Sequence, residues 1–162
     1  MSSASRPGPR LIDPRGQRFG AGSSAVVLAL AIVLQSTWLV ALVALALGVS
    51  SLVGTRAFAF GRPWPTVRRL LKLGPPAYQE PEFGPRFAQA LGFVFLAVGD
   101  VLVVAGLTPL GWLPIVAVVG LQATLALTGY CLGCKLYGLS WWVPAQFDRL
   151  VLHRDGEIES AA

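Results

Sequence analysis

The sequence predicts an all-α integral membrane protein: a four-helix bundle built from two parallel-repeat helical hairpins. Of its 162 residues, 54% are hydrophobic and only 13% are charged, whereas soluble domains carry roughly 25% charged residues. No charged side chain occurs between Arg18 and Arg56. A single helix over that stretch would measure about 55 Å. The hydrocarbon core of a bilayer is only about 30 Å thick, so the chain is expected to turn back within the stretch.

Polar and helix-breaking residues mark the two expected turns. The triplet Gln35-Ser36-Thr37 interrupts the first apolar region, and Thr108-Pro109-Leu110-Gly111 interrupts the second, because Pro and Gly punctuate helices strongly. The four membrane helices are predicted near residues 19–34, 38–53, 87–107 and 112–132. The predicted boundaries are an N-terminal arm over 1–18, a membrane domain over 19–139 with a connecting loop over 54–86, and a tail over 140–162.

The distribution of basic residues predicts the orientation. Twelve of the thirteen Lys and Arg side chains lie in the arm, the connecting loop or the tail, and the thirteenth, Lys135, follows the end of the fourth predicted helix. The two turns contain none. Basic residues next to membrane segments are retained on the cytoplasmic side. We therefore expect a multi-pass protein of the cell membrane with both termini in the cytoplasm. The net charge of +5 is then explained by the lipid bilayer, and no nucleic-acid partner is expected.

A short motif occurs twice. GQRFGAG (16–22) opens the first predicted hairpin and GPRFAQA (84–90) opens the second. Each follows an acid-Pro pair, Asp13-Pro14 or Glu80-Pro81, which predicts a capped helix start in both places. The two halves would then be parallel copies of one hairpin. Between them, TVRRLLKL (66–73) predicts a short helix in the membrane interface with its basic face toward anionic headgroups. A docking surface for a cytosolic partner is the alternative.

Asp100 is the only ionisable residue well inside a predicted span. Intramembrane carboxylates are costly to bury, and they often mark a functional site. Gln122 would be its hydrogen-bond partner if the third and fourth helices face each other. A small transporter or channel subunit centred on Asp100 is therefore one candidate function, and a purely structural membrane subunit is another.

The two cysteines, Cys131 and Cys134, are predicted at the cytoplasmic end of the fourth helix, on one face. The C-terminal end of a helix disfavours a thiolate, and Lys135 would compensate. A structural disulfide is disfavoured in the reducing cytoplasm. A metal site needs about four ligands, yet the chain offers two thiols and one histidine, His153, in the tail. Neither metal nor cofactor is expected, and thiol–disulfide exchange is the most economical chemistry.

Three segments together resemble the domain of unknown function 4395 family of small bacterial membrane proteins: IDPRGQRFGAG, GPRFAQALG and YCLGCKLYGL. The similarity covers about Ile12 to Leu139. It implies an integral membrane protein that tends to accompany thioredoxin-like and sulfurtransferase proteins. It also directs attention to Cys131 and Cys134, with Arg18 and Arg86 as structural landmarks.

The combined expectation is a membrane protein that presents a cytoplasmic dithiol. The dithiol would exchange disulfides or relay sulfur with a thioredoxin-like or sulfurtransferase partner. A stand-alone enzyme is not expected, and association of two or more copies of the chain stays open.

Overall fold

A computed structural model describes residues 10–76 and 78–139, and this part of the chain is mostly helical. Six α-helices occur in it, together with two short 3₁₀ turns and a two-residue antiparallel strand pair. The helices are α1 (Pro14–Val33), α2 (Thr37–Val53), α3 (Trp64–Leu70), α4 (Phe83–Val104), α5 (Thr108–Thr128) and α6 (Leu132–Leu139). The strands are β1 (Leu11–Ile12) and β2 (Glu80–Pro81).

The first two long helices meet at the polar triplet. Helix α1 ends at Val33 and α2 begins at Thr37, with Ser36 as its N-cap residue. Gln35 lies between them with a φ of 49°, a left-handed conformation that non-glycine residues adopt mainly in tight turns. The start of α1 lies earlier than predicted. Asp13 caps it by accepting a hydrogen bond from the Arg15 backbone N–H at 2.9 Å, so the first turn includes the arm's last residues.

The second acid-Pro pair has a different role from the first. Glu80 and Pro81 form β2, and α4 begins at Phe83 after Glu82. In β2, Pro81 lies opposite Leu11 of β1, and Glu80 lies opposite Ile12. The expectation that Glu80-Pro81 caps a helix was wrong. The pair instead joins the segments that precede α1 and α4.

The turn between α4 and α5 lies before the predicted Thr108–Gly111 segment. It consists of Ala105, Gly106 and Leu107, with Gly106 at a φ of 88°. Thr108 and Pro109 already belong to the first turn of α5. A proline is tolerated there because backbone N–H groups in the first turn have no acceptor within the helix. Gly111 allows close helix packing instead of a turn. A Cβ at this position would lie 2.6 Å from the Gly99 carbonyl oxygen of α4.

The fourth predicted helix, near 112–132, was extended too far. Helix α5 ends at Thr128, and Gly129 follows as its C-cap at a φ of 77°, a conformation that glycine adopts without steric cost. A separate helix, α6, begins at Leu132. The cysteines therefore lie at the start of a new helix and not at the end of a membrane-length one.

Three helices, α1, α4 and α5, are long and apolar enough to cross a membrane, and α2 is a shorter apolar helix of 17 residues. Helix α2 packs mainly on α4, α1 packs mainly on α5, and α4 also packs on α5. Their buried contact contains Leu28, Val40, Leu96, Ile115 and neighbouring aliphatic side chains. Many large apolar side chains on the same helices face outward, as expected for helices in contact with lipid.

Candidate functional site

The cysteine site begins with the break between α5 and α6. Gly129 reverses the chain, and Cys131 lies immediately before the first residue of α6. This is the N-cap position of α6, and Cys134 occupies the third residue of the helix. Backbone N–H groups in the first turn of a helix lack intrahelical acceptors. At this site one of them, the N–H of Cys134, is hydrogen-bonded to a sulfur atom.

The two cysteines form a disulfide. The backbone N–H of Cys134 also donates a hydrogen bond to Cys131 Sγ at 3.2 Å, in the manner of an N-cap side chain. The backbone N–H of Lys135 donates to the Cys131 carbonyl oxygen at 3.1 Å and closes the first helical turn. The side chain of Lys135 is exposed. The expected C-terminal location is thus corrected: the dipole of α6 presents its positive end to Cys131.

Helix α6 packs closely on the beginning of α4. A Cβ at Gly133, between the cysteines, would lie 2.6 Å from the Ala88 Cβ, so only glycine fits this contact without displacement. A Cβ at Gly84 would lie 3.7 Å from Cys134 Sγ. Phe87 also faces Tyr137, with ring centroids 5.7 Å apart. Contacts on both sides of Cys134, at Gly133 and at Tyr137, therefore hold this part of α6 against α4.

A cavity of about 110 Å³ adjoins the disulfide. Its walls come from α1, α2, α4, α5 and α6 and are largely apolar, and Cys131 forms part of them. The polar side chains that line it are Gln17, Ser24, Gln89 and Gln122. These glutamines lie far enough apart in the sequence that no local pattern groups them. Polar residues within otherwise apolar spans are the signal that could have found them.

Two serine–glutamine hydrogen bonds cross between helices at this cavity. Ser50 Oγ on α2 donates to Gln89 Oε1 on α4 at 2.6 Å. Ser24 Oγ on α1 is hydrogen-bonded to Gln122 Oε1 on α5. Within residues 10–76 and 78–139, neither Gln89 Nε2 nor Gln122 Nε2 has a hydrogen-bond acceptor. Each amide thus keeps two donor hydrogens beside the cavity.

The two arginines of the repeated motif cap helix ends near the site. Arg86 is fully buried, and it donates from Nε to the Ser51 carbonyl at 3.0 Å and from Nη2 to the Leu52 carbonyl at 2.7 Å. Its Nη1 lies 3.4 Å from Glu82 Oε1, in a buried ion pair. These bonds satisfy carbonyls at the end of α2 that have no partner within the helix.

Arg18 makes the corresponding contacts on α5. Its Nε donates to the Ala126 carbonyl at 3.2 Å and its Nη2 to the Leu127 carbonyl at 2.8 Å. This guanidinium also lies beside Gly129, two residues before Cys131. The motif RF, repeated at positions 18–19 and 86–87, was recognised in the sequence, but its capping role was not.

Asp100 lies near the α4–α5 turn, away from the cysteines. Its Oδ1 is buried and has no hydrogen-bond partner among the described residues. Gln122, the partner expected from the sequence, is hydrogen-bonded to Ser24 instead. In the part of the chain described here, no three His, Cys, Asp or Glu side chains form a group that could hold a metal ion. His153 lies outside the described residues.

Comparison with known proteins gives one match. A family model described as a domain of unknown function, DUF4395, matches residues 12–141. This match spans both occurrences of the repeated motif and the disulfide. No curated protein matches the chain, and no solved structure matches it.

Proposed function

The chain belongs to the DUF4395 family, and for this member we propose thiol–disulfide exchange with a soluble thioredoxin-like partner, at the cytoplasmic face of the cell membrane. The alternative form of this proposal is that the same two cysteines relay sulfur from a sulfurtransferase. The observation that carries the proposal is the disulfide at the N-terminus of α6, where the Cys134 N–H donates to Cys131 Sγ at 3.2 Å. A helix N-terminus stabilises a thiolate, and this makes a cysteine there reactive.

We propose different roles for the two cysteines, and their surroundings support the distinction. Cys131 receives the N–H hydrogen bond and lies at the positive end of α6, so its thiolate is the stabilised one. Cys134 is packed against Gly84 of α4. In the reduced protein, Cys131 would attack a disulfide of the partner, forming a mixed disulfide and releasing one partner thiolate. Cys134 would then attack Cys131 Sγ and release the second. The reverse sequence oxidises a reduced partner, and the same mixed disulfide is its intermediate.

The proposed architecture has four spans in two repeated halves. Helix α2 has 17 residues and measures about 25 Å, a length that a bilayer accommodates by local thinning and by snorkelling of flanking residues. Arg86 of the second half caps α2 of the first, and Arg18 of the first half caps α5 of the second. This exchange of caps is what a two-fold relation between parallel halves would produce.

Further pairs of contacts support the repeat. Gly16 and Phe19 pack on Trp64 at the start of α3. The corresponding Gly84 and Phe87 pack on α6. Each half would then contain two long helices and one short helix. In this arrangement the cysteine helix α6 occupies the place that α3 has in the first half.

The proposed orientation rests on charge. Ten Lys and Arg residues fall in the described ranges, and each belongs to the end of the molecule that contains the strand pair, α3 and α6. The two turns at the opposite end contain none. Positive residues are retained in the cytoplasm, so the disulfide would face that compartment. In these reducing surroundings, re-forming the disulfide would require an oxidised partner, whose own disulfide is reduced in the exchange.

A trapping experiment tests the proposed chemistry. The Cys134→Ser protein retains the attacking thiol but cannot resolve a mixed disulfide, so it should accumulate a reductant-sensitive adduct with thioredoxin-like proteins in cells. The Cys131→Ser protein is the matched control and should accumulate none. Equal adduct formation by the two variants, or none by either, would rule out the proposed roles of the cysteines.

A further inference from the structure

The cavity next to the disulfide combines apolar walls with unused hydrogen-bond donors. Apolar side chains provide most of its lining, while Gln17, Gln89 and Gln122 provide amides. In Gln89 and Gln122, the serine hydrogen bonds involve only the Oε1 atom. The Nε2 groups can therefore donate hydrogen bonds to a ligand in the cavity. A ligand that suits these walls is apolar over most of its surface and presents carbonyl oxygens. Ligand sites of this kind are largely hydrophobic with a few placed polar groups.

The size of the cavity favours a single ring. An apolar cavity of about 150 Å³ in another protein binds benzene, and this one measures about 110 Å³ and is partly open. The enclosed volume is smaller than that benzene site, so a substituted six-membered ring would lie partly in the opening, with its substituents outside. The surrounding helices have many outward-facing apolar side chains, so an apolar ligand dissolved in the lipid phase would reach the protein surface there.

Cys131 forms part of the cavity wall, and this adds a chemical requirement. A molecule bound there lies beside one member of an exchangeable pair. We infer that the cavity binds the head of a single-ring quinone, through amide hydrogen bonds from Gln89 and Gln122 to its carbonyl oxygens. We further infer that the quinone accepts the electrons of the reduced cysteines. The electron-transfer part rests on the proposed thiol exchange, whereas the binding part does not.

The reaction balances with these components alone. A partner dithiol reduces the disulfide and becomes oxidised. The Cys131 thiolate then adds to a ring carbon of the quinone and forms a C–S bond. The Cys134 thiolate attacks Cys131 Sγ, so that the S–S bond forms, the C–S bond breaks and the electron pair stays on the ring. Two protons, one from each thiol, complete the quinol. Two thiols are thus oxidised for each quinone reduced.

Binding is measured first, on protein in nanodiscs of quinone-free lipid. Decylubiquinone, a short-chain single-ring quinone, should bind saturably to the oxidised protein. It should bind equally well to the Cys131→Ser/Cys134→Ser protein, because binding needs no redox step. Gln89→Met and Gln122→Met keep the side-chain size. Each removes the amide hydrogen bond to the quinone, together with the serine hydrogen bond to the same amide. Loss of the bond to the quinone should raise the Kd about five-fold per substitution. Gln79→Met, in an exposed loop position, is the matched control and should leave the Kd unchanged.

Thermal unfolding of each variant shows whether the fold is kept, and Ala21→Phe provides a second test by filling the cavity that Ala21 lines. If the wild-type protein shows no saturable binding, or if no cavity variant weakens it, the quinone site is wrong.

Electron transfer is measured next, with protein reduced by dithiothreitol and then desalted. Two thiols should disappear for each quinol formed, and the rate should fall in the two glutamine variants. Binding without loss of thiols would overturn the electron-transfer part. Glutamine-dependent binding together with a failed partner trap would overturn the proposed thiol exchange while the site stands. If the partner is trapped but no quinone binds, the quinone site is wrong while the proposed thiol exchange stands.

Discussion

The buried arginine of the second motif provides the most quantitative test of the fold. In the Arg86→Met protein the side chain keeps its approximate length but loses its charge and all its hydrogen bonds. The guanidinium is fully buried, with carbonyl acceptors at 3.0 Å and 2.7 Å and the buried Glu82 carboxylate at 3.4 Å. In this variant the Glu82 carboxylate loses the ion pair but still accepts the hydrogen bonds from Thr55. Removing one member of a buried ion pair typically costs about 3–5 kcal/mol, and we expect that loss in the free energy of unfolding.

The assay is reversible unfolding of purified protein in detergent micelles by sodium dodecyl sulfate, followed by circular dichroism. Arg69→Met, at an exposed position of α3, should change the free energy of unfolding by no more than about 0.5 kcal/mol. Arg18→Met removes one partly buried and one exposed hydrogen bond, so a smaller loss of about 1–2 kcal/mol is expected.

Adding Glu82→Gln to Arg86→Met should recover part of the loss, since no unpaired carboxylate then stays buried. If Arg86→Met is no more destabilising than Arg69→Met, the guanidinium does not hold α2 and α4 together, and the exchanged-cap architecture fails.

Two further substitutions test separate parts of the account. Gly133→Ala should displace α6, because the new methyl group would lie 2.6 Å from the Ala88 Cβ. Overpacking of this kind costs about 1–3 kcal/mol. Gly120→Ala, which has open space around it, should be neutral or stabilising in the same unfolding assay, and equal effects would refute the close contact. Asp100→Asn should leave partner trapping by the Cys134→Ser protein unchanged. If Asp100→Asn abolishes the cellular function while replacement of both cysteines by serine does not, the transporter hypothesis is favoured instead.

Hydropathy and turn residues gave the long helices of this protein but not the boundaries that matter for the site. The Gln35 turn was predictable because three polar residues interrupt an apolar run. Pro109 and Gly111 were misassigned to a turn, since a proline suits the first turn of a helix as well as a loop. The glycine in this case serves helix packing, which depends on the neighbouring helix and not on the local sequence.

The break before the cysteines was harder to predict. Apolar residues continue from α5 into Leu132 without an intervening proline, and Gly129 alone ends the helix by adopting a positive φ. Gly133 does not end a helix, because it lies within α6 at the contact with Ala88. The amides of the cavity come from three different helices, α1, α4 and α5. Only tertiary packing brings Gln89 and Gln122 to the wall that contains Cys131.

The central claim is that the disulfide faces the cytoplasm, and thiol labelling tests it most directly. Cells are reduced with dithiothreitol, washed, and treated with a membrane-impermeant maleimide before or after the membrane is opened. A Thr108→Cys variant in a protein without Cys131 and Cys134 places a thiol at the opposite turn, and it should be labelled in intact cells. The native cysteines should be labelled only after opening. Labelling of the native pair in intact cells would contradict the orientation and exclude the cytoplasmic partner.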